Sequence, residues 1–259
     1  MGLIKKDLFG SKDLEKKAIE LLQKNEPDDG YYVAFSGGKD SVVTLELVKR
    51  SGVDYDAHYN VTTVDPPELV RFIKQKHPEV ECNQPDMSMW QLIVKNKMPP
   101  TRLMRFCCRI LKERGGQERT VVTGIRKGES YARKQRKQQE KCNNWEGKSY
   151  LHVIIDWTET DVWDYIEQEK IPYCKLYDEG FHRLGCIGCP MAGANGQEKQ
   201  FKRWPKYRQS YIRAFDRMIE ARKQSDLKCD WEDGEEVMDW WLGKNDEMPV
   251  DPCQSYMFI

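Results

Sequence analysis

Apolar residues fall in short blocks over the first two-thirds of the chain, separated by longer amphipathic stretches. "YYVAF" (31–35) is a compact apolar run of strand length, and "YDAHYNV" (55–61), "EVECNQ" (79–84), "RTVVTGI" (119–125) and "YLHVIID" (150–156) predict four further strands. Helical spacing lies between them. "SKDLEKKAIELLQKNEP" (11–27) sets Leu14, Ala18, Leu21 and Leu22 on one face, with Ser11 or Asp13 as cap. Residues 40–50 continue as a helix ended by Gly52, "PPELVRFIKQKH" (66–77) opens on proline, and "MWQLIVKN" (89–96) is short. "TETDVWDYIEQEK" (158–170) starts with Thr158 and has Asp161 three residues on, close to a capping box. Strands alternating with helices predict an α/β fold, with an open, mostly parallel five-stranded twisted sheet and helices on both faces. Past Pro190 the pattern becomes one long helix over 197–225, interrupted near Pro205, followed by a tail rich in tryptophan. The expected organisation is an N-terminal helix (1–28), a sheet domain (29–195) and a helical C-terminal extension (196–259) packed on it.

Composition narrows the picture. The chain has 259 residues, 39% of them hydrophobic, enough for a sizeable core. Forty-two basic residues balance 42 acidic ones, which argues against a globally basic nucleic-acid binder. Local basic clusters remain at 133–141 and 199–222, and a charge run is as a rule a solvated face. No apolar run reaches the roughly 18 residues that a membrane span needs. "MGLIKKDLFG" lacks the apolar region of a signal peptide, and Lys6 breaks a myristoylation motif. The expectation is a cytoplasmic protein with no membrane partner. Nine cysteines, an odd number, then point to metal or redox chemistry rather than a disulfide framework.

The first chemical motif is "SGGKDS", where the first predicted strand turns into a helix. A helix N-terminus presents unpaired N–H groups and a positive dipole end, and anions bind there. Gly37 and Gly38 let the backbone approach a phosphate, Ser36 and Ser41 add hydroxyls, Lys39 adds charge, and Asp40 sits in the first turn. The spacing matches neither the common NTPase loop nor the dinucleotide fingerprint. "TGIRKGESYAR" (123–133) follows another strand: Gly124 turns the chain, Arg126 and Arg133 have forked donors suited to phosphate or sulfate, and Glu129 and Ser130 can orient them. "NVTTVDPPEL" (60–69) offers Thr63, Asp65 and Glu68 at the carboxyl end of a strand, where open sheets bind ligands, and a plain helix-capping role suits it equally.

"RFCCRILK" holds Cys107 and Cys108, and "RLGCIGCPM" holds Cys186 and Cys189 as C-x-x-C. Two cysteine pairs suit zinc or an iron–sulfur cluster, and thiolate chemistry alone does not separate them. Cys142 is a rival ligand. Cys174 is a spare thiol, and Cys82, Cys229 and Cys253 lack partners in spacing.

Taken together, "SGGKDS", "TGIRKGES" and the paired cysteines resemble the phosphoadenosine phosphosulfate reductase family, within the PP-loop ATP pyrophosphatase superfamily and its adenine-nucleotide α-hydrolase-like fold. The resemblance covers roughly residues 30–195. It implies an adenine-nucleotide site on Ser36, Gly37, Gly38, Lys39, Asp40, Ser41, Thr63, Gly124, Arg126, Ser130 and Arg133. It also implies a [4Fe–4S] cluster on Cys107, Cys108, Cys186 and Cys189, with zinc as the alternative metal. The family's reductases attack sulfur with a cysteine in a C-terminal Glu-Cys-Gly-(Leu/Ile)-His motif, which this chain lacks; its end is "MPVDPCQSYMFI". They also tend to replace the loop's lysine and serine, which this chain keeps. The leading expectation is therefore ATP with magnesium, adenylyl transfer with pyrophosphate release linked to sulfur chemistry, and catalytic roles for Lys39, Asp40, Ser41 and Arg126. A sulfonucleotide reductase with a displaced nucleophile, such as Cys253, is the second reading. A non-catalytic nucleotide- and cluster-binding sensor or partner subunit is the third. A nucleic-acid or sulfur-carrier partner stays open, as does assembly, with a homodimer as the working expectation.

Overall fold

The computed structural model describes residues 3–7, 10–142 and 146–244. In chain order the elements are β1 (Ile4–Asp7), β2 (Gly10–Asp13), α1 (Leu14–Lys24), β3 (Tyr31–Phe35), α2 (Lys39–Ser51), β4 (Tyr55–Asn60), α3 (Pro67–Lys76), β5 (Glu81–Asn83), α4 (Met89–Asn96), β6 (Thr120–Thr123), α5 (Tyr131–Lys134), β7 (Gln139–Lys141), β8 (Ser149–His152), α6 (Glu159–Glu169), α7 (Gly193–Arg203), α8 (Pro205–Lys223) and α9 (Gly234–Trp241). A π-helical turn spans Cys108–Lys112. Among the described residues no helix is long and apolar enough to cross a membrane.

The chain divides into two units that are not consecutive in sequence. The first comprises 1–61, 65–84 and 111–185; the second comprises 62–64, 85–110 and 186–259. The sequence pattern placed a boundary after residue 195, whereas all four cysteines of the two pairs fall in the second unit.

The first unit is built on a sheet of order β5-β4-β3-β6-β8-β7, flanked by helices. Its pairs are parallel except β7–β8. The five predicted strands are present, and β7 is a sixth. "QEK" of β7 has no apolar alternation to announce it; it exists because its backbone pairs with β8, Glu140 opposite Tyr150. Short and polar, with Lys141 exposed at its end, it suits a sheet edge. The central strand β3 is apolar throughout because it lies between two neighbours and beneath helices. An antiparallel β1–β2 hairpin precedes α1, an addition to the helix expected there. Asp13 caps α1, its carboxylate accepting from the Lys16 amide at 2.9 Å. The Thr158–Asp161 capping box of α6 is formed, with bonds of 2.7 and 3.1 Å.

The second unit packs α4 and α9 on α8, with α7 beside them. The long C-terminal helix breaks at Trp204, and Pro205 begins α8 at a position that needs no amide donor. Tyr211 is the hub of its core: Trp90 lies 4.8 Å away edge-on, Phe201 5.8 Å and Trp241 4.8 Å. The Trp241 indole donates to the Pro100 carbonyl at 2.6 Å, so the tail is bound to the 85–110 segment of its own unit.

Two buried histidines lead us to expect that the first unit loses stability in acid. His77 is wedged between Phe35 and Phe72; among the described residues neither ring nitrogen makes a hydrogen bond, and Glu79 Oε1 stands 3.6 Å from Nδ1. Burial pulls its pKa below the ordinary 6.5. His152 is fully buried, and its pKa is also lowered by burial, against the opposing pull of Glu140. A lowered folded-state pKa means that the unfolded chain takes up the proton first. The stability from neutral burial is thus complete above about pH 6.5 and lost as pH falls through the folded values. Thermal unfolding followed by circular dichroism is expected to show Tm dropping between pH 7 and 5, with His77→Leu flattening part of the drop. An unchanged profile in that variant would remove His77 from the account.

Candidate functional site

The loop after β3 is shaped by glycine. Gly37 has φ of +71°, and a Cβ there would stand 2.8 Å from side-chain carbons of both Leu69 and Ile73 on α3. Gly38 is the N-cap of α2 and offers no side chain to its first turn. The serines close the loop: Ser36 donates its amide and its hydroxyl to Ser41 Oγ, each at 3.2 Å, and Ser41 donates to the Gly38 carbonyl at 2.9 Å. Among the described residues the amides of Asp40 and Ser41 meet no acceptor, so two N–H donors stand open at the positive end of α2.

Lys39 is only 5% exposed. Its ammonium lies 3.2 Å from Glu159 Oε1 at the start of α6, 3.2 Å from the His182 carbonyl and 3.7 Å from Asp40 Oδ2. The Tyr177 ring lies 5.5 Å from it, and the Tyr177 hydroxyl accepts the Lys39 amide at 2.8 Å. Trp163 backs that ring edge-on at 5.1 Å. Burial raises the phenol's pKa, so the hydroxyl stays protonated. Tyr177, Glu159 and His182 are the participants that sequence reasoning missed. They sit 138, 120 and 143 residues from Lys39, and no local spacing could have found them.

The second motif meets the first. Arg126 is 4% exposed and donates Nε to Asp40 Oδ1. Its amide donates to Glu129 at 2.9 Å, and Glu129 pairs with Arg133. Ser130 caps α5 through the Arg133 amide at 3.3 Å. Gly124 is needed for a close approach rather than a turn: a Cβ there would lie 2.7 Å from the Asp40 carbonyl oxygen and 2.8 Å from Thr44 Oγ1. The fold thus assembles Ser36, Gly37, Gly38, Lys39, Asp40, Ser41, Gly124 and Arg126 into one cationic cradle, while Ser130 and Arg133 brace its second strand-end loop. Thr63 lies in the other unit. Its hydroxyl accepts the Met89 amide at the start of α4 at 2.9 Å, and its φ is +66°, an uncommon conformation for a β-branched residue. Asp65 is buried, and Glu68 lies in the first turn of α3.

In the second unit the C-x-x-C turn is clamped from three sides. The Ile187 amide donates to the Val64 carbonyl at 2.8 Å, Tyr211 donates its hydroxyl to the Ile187 carbonyl at 2.9 Å, and Gln197 donates to the Gly188 carbonyl at 3.0 Å. Cys186 is buried, with Sγ 3.4 Å from Thr62 Oγ1. The Cys107 thiol is pushed up, first by its hydrogen bond with Cys108, then by burial, then by the charges of Cys108, Cys186 and Cys189. Four soft donors in one unit fit a thiolate-bound centre by donor type. Among the described residues no three His, Cys, Asp or Glu side chains are drawn to ligand spacing. Cys142, the rival, lies in the first unit beside the Tyr150 hydroxyl at 3.6 Å. Gly188 has φ of +74°, and a Cβ there would meet Phe201 at 2.7 Å and Tyr211 at 2.9 Å. Gly188→Ala is expected to cost about 2 kcal/mol or more in urea unfolding, from left-handed strain plus overpacking. A variant as stable as the parent would show that the turn is not held this way.

Residues 30–192 match the family model described as the phosphoadenosine phosphosulfate reductase domain. An uncharacterized Methanocaldococcus jannaschii protein, MJ0973, is 30% identical over 194 residues, 69% of this chain and 47% of its own length. This chain therefore spans about half of that relative. The adenosine 5'-phosphosulfate reductase of Staphylococcus haemolyticus is 25% identical over 218 residues, 78% of this chain and 88% of the reductase. Among solved structures, the phosphoadenylyl-sulfate reductase of Candida auris, in a phosphate complex, is 20% identical, covers 67% of this chain and 92% of its own, and superposes with a TM-score of 0.48.

Proposed function

This chain belongs to the phosphoadenosine phosphosulfate reductase domain family, and from that premise we propose that it binds ATP in the α2 cradle and transfers its adenylyl group with release of pyrophosphate. The observation that carries the reading is Lys39, a buried ammonium from the same helix start that leaves two backbone amides open and carries the Ser36–Ser41 hydroxyl pair. A phosphate chain laid there has its charge met by the helix end, the ammonium and Arg126. An oxygen nucleophile of the acceptor attacks the α-phosphorus, the bond to the bridging oxygen breaks, and pyrophosphate leaves with the electron pair while the acceptor's proton is lost. Lys39 stabilises the leaving group as negative charge grows on it. Magnesium belongs to this reading as the counter-ion of the triphosphate. Cys107, Cys108, Cys186 and Cys189 would hold a [4Fe–4S] centre, which when bound supplies a soft site for sulfur. Zinc is the alternative occupant.

Exchange of labelled pyrophosphate into ATP, assayed with candidate acceptors, is expected to be positive. No exchange with any acceptor, together with tight binding of adenylyl sulfate, would overturn the reading. The 25% identity to an adenosine 5'-phosphosulfate reductase favours reduction as the second reading. Its distinguishing result is sulfite release from adenylyl sulfate with thioredoxin, lost in Cys253→Ser; Cys253 lies outside the described residues. Absorbance of anaerobically purified protein separates the metals, since a broad band near roughly 400 nm belongs to thiolate-bound clusters and zinc is colourless.

A further inference from the structure

The segment 127–141 carries six basic residues (Lys127, Arg133, Lys134, Arg136, Lys137, Lys141) against two acidic ones, in a chain whose charges cancel as a whole. It is anchored at both ends. Ser130 caps α5, and β7 pairs with β8. Glu140 accepts from His152 Nε2 at 3.0 Å, and His152 Nδ1 lies 2.6 Å from the Thr123 hydroxyl, at the end of the strand that feeds Gly124 and Arg126. Burial keeps His152 neutral, so the order of the chain is Thr123 O–H to Nδ1 and Nε2–H to Glu140. The segment is thereby fixed in the same unit as the cradle.

Its outward side is unusual. Arg133 and Arg136 pair with Glu129 and Glu140, and Lys127 with Asp156. Lys134, Lys137 and Lys141 are exposed with no ion pair among the described residues. On the same segment Tyr131 is 82% exposed, in the first position of α5. An edge strand explains a lysine. It does not explain an exposed aromatic ring on a segment that also carries three exposed lysines outside any ion pair among the described residues.

We propose that this surface binds a single-stranded nucleic acid, with the lysines on successive phosphates and a base stacked on Tyr131, and that this strand is the acceptor brought to the nucleotide cradle. The combination of cations tracking a backbone and an aromatic face for a splayed base is what single strands require. A duplex is disfavoured: its bases are stacked inside, and α5, with four residues, is too short to fill a major groove. The acceptor role rests on the adenylyl-transfer reading; the binding surface is tested without it.

The test uses the full chain and fluorescein-labelled 20-nucleotide single strands of RNA and DNA, read by fluorescence polarisation without ATP. A duplex of equal length and phosphatidylserine vesicles serve as competitors. Tighter binding of a single strand than of the duplex is expected, by tenfold or more, with a log–log salt slope near ~−2 for three phosphate contacts. Lys134→Glu/Lys137→Glu/Lys141→Glu should weaken it at least tenfold. Tyr131→Ala should weaken it about tenfold, and Tyr131→Phe, which keeps the ring, within twofold. ATP binding should be unchanged in all of them, which excludes misfolding. Preference for duplex or vesicles, or single-strand binding untouched by these substitutions, would overturn the proposal. Pyrophosphate exchange is measured separately, so strand binding with no exchange would count against adenylyl transfer and the acceptor role but not the surface.

Discussion

Lys39→Met is expected to lower pyrophosphate exchange about a thousandfold while leaving the fold intact. The side chains are similar in length, and methionine fills the same buried channel beneath the Tyr177 ring. What is lost is a desolvated positive charge beside the leaving group, and removing one such preorganised contact costs about 3–4 kcal/mol of barrier. Stability should hold or rise, because methionine needs no solvation and Glu159, with its side chain 57% exposed, is left facing water rather than buried. Glu159→Gln is the contrasting variant. A half-exposed carboxylate orients Lys39 but does not carry it, so the effect there should stay within about tenfold. Exchange in Lys39→Met within tenfold of the parent would mean that the ammonium does not meet the reacting phosphates.

Gly124→Val should abolish nucleotide binding and destabilise the first unit by about 1–3 kcal/mol through overpacking. The neighbour that its Cβ would meet at 2.7 Å is the Asp40 carbonyl oxygen, part of the α2 backbone. No side-chain rotation relieves that contact, so the first turn of α2 must move, and with it the open amides and the Asp40–Arg126 pair. Gly128 is an internal control in the same motif: a Cβ there meets nothing within 4 Å, and Gly128→Ala should be silent within about 0.5 kcal/mol. Isothermal titration with ATP and urea unfolding of both variants check this. Wild-type affinity in Gly124→Val would show that β6 and α2 do not need their close approach.

The two predictions describe one device from opposite sides. Lys39 supplies the charge, and Gly124 supplies the backbone proximity that lets the second loop reach it. Asp40 links them, since it sits 3.7 Å from the Lys39 ammonium and accepts from Arg126. A cradle built this way holds its cations in place before any anion arrives, which lowers the reorganisation needed on binding.

Much of this was legible in the residues alone. "SGGKDS" is local: six consecutive residues at a strand–helix junction set the glycine conformations, the serine closure and the exposed amides, so the shape of this loop follows from the sequence. The same holds for "MWQLIVKN", whose bounds match α4, for Thr158–Asp161, whose two bonds close within three residues, and for Pro205, where the expected interruption of the long helix falls. Tertiary structure decided whatever depends on distant segments meeting. β7 is a strand only because β8 lies beside it, and its sequence reads as a basic run. Tyr177 reaches the Lys39 amide because α6 and the loop after it fold back over the cradle. Cys107 and Cys108 share a unit with Cys186 and Cys189 because the 85–110 segment leaves the sheet to pack with the C-terminal helices. Backbone bonding and capping act over a few residues and are written in order along the chain. Charge cages and shared cores are set by the crossover topology, which no single stretch of residues encodes.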